Sequence, residues 1–407
     1  MSDLPKGWAT TNLGKIIELK YGKSLPAKDR QHGDIPVYGS NGQIGWHNTS
    51  LTDGSTILVG RKGSIGEVVF SQLPCFPIDT TYFIDDFQHI SYKYLISLLK
   101  SLNLNTLDRS TGIPGINRND VYAINIPLPP LAEQRRIVAK LDSLLDRSRR
   151  ARQDLERIPK LLDRYKQAIL STAFSGDLTE VSLSKVCLSI TDGDHQAPPR
   201  VNEGIPFITI SAINDGFLRL EKATRFVPDS YFNSLSLSRK PGKGDILFSV
   251  TGSIGIPVIV DTYEPFIFQR HIAILKTNKD IIIERYLFYI LGSTEIKNQA
   301  LEVATGTAQL TIPLGGLRNF QIPLPTLVEQ EEIVKRIEKL FKVIDLIAKE
   351  YHQAIKLLDR LDRSILAKAF RGELVPQDPN DEPAAVLLER IQADRSAQVK
   401  GKKVKSK

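Results

Sequence analysis

The stretch "NIPLPPLAEQRRIV", residues 125–138, returns late in the chain as "QIPLPTLVEQEEIV", residues 321–334. A displacement of 196 residues aligns 126–178 with 322–374 without a gap, and 21 of the 53 aligned pairs are identical. One register kept over that length indicates an internal duplication. Two copies are too few for a solenoid, so we expect a pseudo-twofold pair of matching elements.

Each copy of the repeat contains an apolar seam whose steps alternate between four and three residues. The seam runs from Ile137 to Ile169 in the first copy and from Ile333 to Ile365 in the second, with Ser148 as its one polar member. An apolar period of 3.5 residues over more than four heptads favours a coiled coil. The alternative, two amphipathic helices docked on separate cores, would drift towards a period of 3.6 residues.

Local signals predict where the repeat helices begin, bend and end. Thr326 and Glu329 have the spacing of a capping box, which satisfies free amides at a helix start. Gly176 and Gly372 stand where a left-handed cap would end each helix. Pro159 interrupts only the first copy and predicts a kink there, because an interior proline costs about 3 kcal/mol.

The segments outside the repeats, 1–125 and 179–321, predict two mixed α/β domains. Runs typical of strands are "STILVG" (55–60), "EVVF" (67–70), "PFITI" (206–210), "DILFSV" (245–250) and "PVIVD" (257–261), and helical runs are "KYLISLLKSL" (93–102) and "ERYLFYILGS" (284–293). The domains share the motif "GSIG" but otherwise diverge. The helical regions are then 126–178 and 322–375, followed by a C-terminal extension and basic tail, 376–407.

Composition and charge limit the classes of function. The net charge of +8 and the pI near 9.2 favour an anionic partner. No apolar run reaches the ~18 residues of a membrane helix, and the N-terminus lacks a signal peptide, so we expect a cytoplasmic protein. Cys75 and Cys187 lie far apart, and the six histidines have no metal-ligand spacing, so neither a disulfide nor a metal site is expected.

The sequence contains no complete motif for catalysis or cofactor binding. "YGKS" (21–24) lacks the earlier glycine of a phosphate loop, and "GRKGSIG" (60–66) lacks the glycine pair of a dinucleotide site. There is no base-methylation motif, no glycine-rich loop for a methyl donor and no nucleophile elbow. We therefore predict a binding protein with no catalytic residue and no cofactor of its own.

The repeated "IPLP-x-L-x-EQ-x-x-IV" segment, the heptad helices, the "AF-x-G-[DE]-L" ends and the two divergent domains resemble the specificity subunit of type I restriction–modification systems. The resemblance covers nearly the whole chain. It implies that 1–125 and 179–321 are target recognition domains, held apart by two long helices that pair as an antiparallel coiled coil. Each domain would read one half of a split, asymmetric site in double-stranded DNA, and the helices would set the spacer.

The resemblance also implies partners and cofactors of a larger complex. Methyltransferase (modification) subunits, two of them, would dock on the helices, and restriction subunits would bind the assembled core. The complex would use S-adenosylmethionine, and ATP with Mg for restriction, whereas this chain would bind none of them. Pro130 and Pro159 depart from the repeat and affect the detail of the helices rather than this function.

Candidate contact residues follow from side-chain chemistry at turns. Basic side chains suit phosphates, and Arg, Gln, Ser and Thr suit base edges. The DNA-binding candidates are Lys23, Arg61, Lys62 and Ser64 in the first domain and His195, Arg239, Lys240, Lys243, Thr251, Ser253, Gln269 and Arg270 in the second. Ser64 and Ser253 are better candidates for phosphate than for base contact, because "GSIG" occurs in both domains. The partner-binding candidates are Glu133, Gln134, Glu329 and Gln330, which could instead be first-turn groups that favour the helix dipole.

Two other functions stay open from the residues alone. One is a self-contained DNA methyltransferase or nuclease with an unrecognised active site, which predicts activity by this chain without a partner. The other is a coiled-coil scaffold, which leaves the two large divergent domains unexplained.

Overall fold

A computed structural model describes residues 4–404 apart from 88, 109–111, 113, 177 and 194–196, with side chains through 396. The chain divides into two compact units. The first contains the residues up to 155 and those from 354 onward, and the second contains 156–353. No helix in the described part of the chain is long and apolar enough to cross a membrane.

Three stretches of chain supply the helices and strands. The first contributes β1 Ala9–Asn12, α1 Leu13–Ile16, β2 Lys20–Tyr21, β3 Ile35–Gly39, β4 Gly42–His47, β5 Thr56–Gly60, β6 Val68–Ser71, β7 Phe76–Pro77, β8 Thr81–Ile84, α2 Tyr92–Ser101, α3 Arg118–Tyr122, β9 Asn125–Leu128 and α4 Leu131–Leu155. The second contributes α5 Ile158–Phe174, β10 Glu180–Ser182, α6 Leu183–Val186, β11 Cys187–Asp192, β12 Ile205–Ile208, β13 Arg225–Val227, α7 Asp229–Ser234, β14 Ile246–Ser249, β15 Pro257–Ile259, β16 Ile267–Phe268, β17 Ile272–Thr277, α8 Glu284–Leu291, α9 Thr294–Val303, α10 Leu314–Arg318 and β18 Gln321–Pro323. The last contributes α11 Leu327–Arg371 and α12 Ala384–Val404. Short 3-10 turns occupy Ala27–Asp29, Leu104–Leu107, Ile210–Ala212, Leu220–Lys222 and Leu237–Arg239.

Each unit contains a head built from the same three sheets. In the first head (β1–β9) a four-stranded sheet has the order β2-β8-β5-β6, and a three-stranded sheet has the order β4-β3-β7. The second head (β10–β18) repeats these orders as β11-β17-β14-β15 and β13-β12-β16. The pairs β3–β7 and β12–β16 are parallel, and the other described pairs of these sheets are antiparallel. The duplication predicted for the helices therefore extends through the heads.

The repeated "IPLP" segments close the third sheet of each head. β9 pairs antiparallel with β1, with Ile126 opposite Thr11, and β18 pairs with β10, with Ile322 opposite Val181. Ile126 and Ile322 are buried. The predicted domain boundaries after 125 and 321 thus fall inside strands, and "IPLP" belongs to the heads rather than to the helices.

The first repeat forms two helices where the second forms one. α4 ends at Leu155 and α5 begins at Ile158, whereas α11 continues through 45 residues. Pro159 lies in the first turn of α5, where a helix needs no amide hydrogen and tolerates the fixed proline φ. The predicted kink is therefore a break between two helices.

The predicted helix ends are confirmed in the second copy. The Thr326 amide donates to the Glu329 carboxylate at 2.8 Å and the Glu329 amide donates to the Thr326 hydroxyl at 3.4 Å, which forms the capping box. Gly372 has a left-handed φ of 74°, and the next amide, of Glu373, bonds the Lys368 carbonyl at 2.9 Å. The prediction for Gly176 was wrong, because α5 already ends at Phe174 and the chain leaves it in an extended conformation at Ser175.

The repeat helices pack antiparallel in the first unit. Leu141, in the first half of α4, shares a core with Ala369, near the end of α11. Further along α4, the Arg152 guanidinium lies 2.8 Å from the Asp359 carboxylate, earlier in α11.

The same arrangement holds in the second unit. Lys166 of α5 lies 3.6 Å from Asp345 of α11, and its ammonium is 5.7 Å from the centre of the Phe341 ring. Closer to the end of α5, Ala173 shares a core with Ile333, near the start of α11. Within each unit the packed segments of the two repeats therefore run in opposite directions, as the antiparallel coiled coil implied by the family resemblance requires.

The C-terminal extension completes the first head. Ala384, Leu387 and Ile391 are buried in that head's core. The Arg136 guanidinium makes two bonds, of 3.2 and 2.6 Å, to the Asp381 carboxylate. Residues 376–396 are thus part of the first head, which the sequence analysis treated as a separate extension.

Candidate nucleic-acid interface

Matching "GSIG" loops (63–66 and 252–255) lie beside the four-stranded sheets of the two heads. The Gly63 amide bonds the Pro114 carbonyl and the Gly252 amide bonds the Leu310 carbonyl, both at 3.0 Å. The four glycines have φ between 75° and 84°, in the left-handed region that favours glycine. "GSIG" is therefore a structural turn common to both heads.

A second loop precedes the strands β8 and β17 and is named here the tip: residues 78–80 in the first head and 269–271 in the second. Its backbone bonds match one for one. In the first head the Ile78 amide bonds the Tyr38 carbonyl (2.9 Å), the Thr81 amide bonds the Ile78 carbonyl (3.0 Å) and the Arg61 amide bonds the Thr80 carbonyl (2.9 Å). The matching bonds of the second head run, in the same order, from the Gln269 amide to the Ile208 carbonyl (3.1 Å), from the Ile272 amide to the Gln269 carbonyl (3.0 Å) and from the Val250 amide to the His271 carbonyl (2.9 Å). The two tips therefore have the same backbone support and different side chains.

The four candidates of the first head gather around its tip. Lys23 forms a β-bridge with Ile78, and Lys62 forms one with Gly115, which adjoins the chain that supports the GSIG loop. The Arg61 guanidinium donates to the Asp79 carbonyl at 3.0 Å. Lys23 and Lys62 are exposed, and Arg61 and Ser64 are half-buried. A surface with three cations and a hydroxyl suits a phosphate backbone.

Two residues that the sequence analysis missed extend this surface. The Arg61 and Arg118 guanidinium carbons lie 5.0 and 5.1 Å from the centre of the Tyr21 ring, which is 47% exposed. Tyr21 and Arg118 come from opposite ends of the head sequence. Their only sequence signal is the combination of an aromatic residue with basic ones, and the long distance between Tyr21 and Arg118 along the chain hides it.

Four candidates of the second head gather in the same way. Thr251 and Ser253 belong to the chain around the GSIG loop, and Gln269 and Arg270 form the tip. Arg239 lies 3.9 Å from Asp192, at the end of β11 that pairs with the start of β17. His195 lies outside the described residues.

Lys240 and Lys243 lie at the opposite end of the same sheet. Lys243 precedes β14 whereas Thr251 follows it, and the Lys240 carbonyl accepts from Lys276, at the far end of β17 from Arg270. The Lys243 ammonium lies 4.5 Å from the centre of the Tyr263 ring. The structure therefore does not bring these two lysines to the surface formed by the tip and the GSIG loop.

Comparison with known proteins shows the family of this chain. A family model described as the type I restriction modification DNA specificity domain matches residues 5–159 and 179–357. The chain belongs to this DNA specificity family. The specificity subunit of the Escherichia coli type I restriction enzyme EcoBI is 32% identical over 345 residues, which are 75% of this chain and 71% of that protein. The EcoKI specificity subunit of E. coli strain K12 is 31% identical over 324 residues, 72% of this chain and 69% of that protein.

A solved structure shows the same fold. It comes from work on the assembly and conformational transition of the type I restriction–modification system, and it covers 92% of this chain and 100% of its own, with a TM-score of 0.71 at 23% identity. The family model and the two related specificity subunits make this chain a DNA sequence-recognition subunit of that family, with two specificity domains and long helices.

The repeated glutamine of this specificity subunit has the same structural position in both heads. Gln134 accepts from the Ser91 amide, at the N-cap of α2, at 3.1 Å. Gln330 accepts from the Ile283 amide, at the N-cap of α8, at 2.8 Å. Both glutamines are 0% exposed. In this conformation they leave no surface for a partner, and they tie a head helix to the first turn of a repeat helix.

The repeated glutamate differs between the two copies. Glu329 is exposed, and its bonds from Thr326 lower the pKa of its carboxyl. Glu133 is 1% exposed and accepts from the Trp8 indole at 2.9 Å and from the Gln377 amide at 3.2 Å. Burial raises the pKa of Glu133, against the opposing effect of those two donors. Of the four partner-binding candidates, only Glu329 has an exposed side chain.

The tip of the second head also contains a histidine. Burial and the neighbouring Arg270 lower the pKa of His271, which favours the neutral form of its imidazole. Within the described ranges, no group of three or more His, Cys, Asp or Glu side chains could hold a metal ion. Cys75 and Cys187 are free thiols, and burial raises the pKa of Cys187 to about 12.

Proposed function

We propose that this chain is the sequence-recognition subunit of a type I restriction–modification complex and that each head reads one half of a bipartite, asymmetric DNA site. The observation that carries the proposal is the pair of matched tips. The same backbone bonds support 78–80 in one head and 269–271 in the other, but the side chains differ. Two different half-sites require two heads that dock on DNA in the same way but carry different side chains at their tips, because phosphate contacts position a protein and base contacts specify the sequence.

Two grooves on the helical repeats support the docking of two modification subunits. A groove of about 520 Å³ in the first unit includes Leu144, Leu361 and Ile365. A groove of about 240 Å³ in the second unit includes Leu340, Tyr165 and Ile169, which occupy the positions related to these by 196 residues. Leu361, Leu340 and Tyr165 are 49%, 41% and 65% exposed. Exposed apolar side chains at equivalent positions suit two copies of one partner.

The catalytic groups belong, in this proposal, to the partner subunits. Modification subunits would supply the bound S-adenosylmethionine, and restriction subunits on the assembled core would supply ATP and Mg chemistry. The complex would act on cytoplasmic DNA.

The test is methylation of random-sequence DNA by the purified chain mixed with the modification subunit encoded beside it. We expect methylation at one split, asymmetric site that requires both proteins. Binding by the complex should weaken steeply with salt, because phosphate contacts release counterions. Methylation by this chain alone would instead establish the self-contained enzyme, and activity without sequence preference would leave only the scaffold.

A further inference from the structure

The matched tips also assign a reader of base identity in each head. Resting on the proposed function, we infer that Asp79 and Arg270 are equivalent specificity-determining residues: Asp79 selects a base with an exocyclic amino group in one half-site, and Arg270 selects guanine in the other. Each is the middle residue of its tip, and each is exposed between half-buried neighbours.

The backbone holds both tips in a defined place. A side chain at Gly22 would collide with the Ile78 carbonyl, and one at Gly193 would collide with the Phe268 carbonyl. The amides of these glycines bond the first residue of the following strand, Gly22 to the Thr81 carbonyl and Gly193 to the Ile272 carbonyl, both at 3.2 Å. The close packing of each glycine against the backbone beside its tip therefore fixes the position of the tip, as a base-reading side chain requires.

The charge of Asp79 distinguishes base reading from phosphate contact. Its neighbours Lys23, Arg61 and Lys62 are cations that attract phosphates, whereas the phosphates would repel the Asp79 carboxylate. An ionised carboxylate only accepts hydrogen bonds, so in the major groove it fits the amino group of cytosine or adenine. The structure thus gives the first head a cationic surface with a carboxylate at its tip.

Arg270 supplies the opposite chemistry at the equivalent position. A guanidinium donates two parallel hydrogen bonds and fits the O6 and N7 acceptors of guanine. Gln269 and His271 flank it, and the amide and the imidazole in its favoured neutral form can both donate and accept. The half-site of the second head should therefore contain a guanine whose recognition depends on Arg270.

The experiment replaces each tip residue in the full complex and determines the methylated site from random DNA. Arg270→Gln should change the preferred base from guanine towards adenine at one position of one half-site. The discrimination lost there should be about 5- to 150-fold, the range of a bidentate base contact. Asp79→Asn should change one position of the other half-site and leave the first unchanged.

Matched controls remove the same charge elsewhere in the same head. Asp53→Asn changes a residue in the turn before β5, away from the tip, and Lys279→Gln changes one beyond the far end of β17. Both residues are exposed, and both variants should keep the wild-type site. Thermal unfolding of all four variants checks that the heads remain folded.

The outcomes separate the inference from the proposed function. Loss of binding that is uniform over all sequences, with a smaller salt dependence, would make Arg270 a phosphate contact and overturn the inference. An unchanged site in both tip variants would overturn it as well. A wild-type complex without any sequence preference would refute the proposed function itself, and the inference with it.

Discussion

The buried glutamine of the repeated "EQ" pair offers a direct test of how the heads are held on the helices. Gln330 accepts from the Ile283 amide at 2.8 Å and donates to the Ile281 and Pro325 carbonyls, both at 3.0 Å. Gln330→Leu keeps a similar volume but satisfies none of these groups. An orphaned buried amide alone costs about 1–3 kcal/mol, so with the two carbonyls we expect a loss of about 2–4 kcal/mol.

Hydrogen exchange measured by mass spectrometry localises this loss. Peptides that cover α8 should exchange faster in Gln330→Leu, because the Ile283 amide at its N-cap loses its partner. Thermal unfolding of the second head should also move to lower temperature. Gln134→Leu should act on α2 in the same way but less strongly, since Gln134 makes two such bonds, to the Ser91 amide and the Pro129 carbonyl.

The control is Gln353→Leu, the same change at an exposed position of α11. It should alter neither the exchange of α8 nor the unfolding temperature by more than a surface substitution does, about 0.5 kcal/mol. Equal effects of Gln330→Leu and Gln353→Leu would show that the buried amide only fills space, and the account of the repeated motif would be wrong.

Three further predictions concern the repeats. Because burial raises the pKa of Glu133, its ionisation costs stability as pH rises from the unfolded pKa near 4.5 through the higher folded pKa. Glu133→Gln should therefore gain stability relative to wild type between pH 4 and pH 8 in chemical unfolding. A difference in unfolding free energy that stays constant over this pH range would contradict this. Leu361→Glu should reduce the bound modification subunits from two to one in native mass spectrometry, whereas Leu357→Glu, 61% exposed and outside the groove, should keep two. One heptad added to each repeat adds about 10 Å, or about three base pairs, to the spacer; altered half-sites with the old spacer would refute the role of the helices.

The sequence by itself determined those features that depend on local periodicity and on the repeat. The seam from Ile333 to Ile365 marks α11, and the spacing of Thr326 and Glu329 marks its cap, because helix and capping signals act over four residues or fewer. The duplication, the two α/β heads and their family were readable for the same reason: they are patterns along the chain. The strands and helices quoted from apolar runs are present in the structure.

Only the tertiary structure decided which distant residues share a surface or a core. The pairing of "IPLP" with β1 and β10, the insertion of Ile391 into the first head and the burial of Gln134 and Gln330 all join segments far apart in sequence. The candidate site shows the same division. Turn chemistry located Arg61 and Arg270, but strand direction placed Lys243 at the other end of the sheet, and long-range pairing brought Tyr21 and Asp79 beside Arg61. Such contacts depend on strand order and register, which no local pattern of side chains specifies.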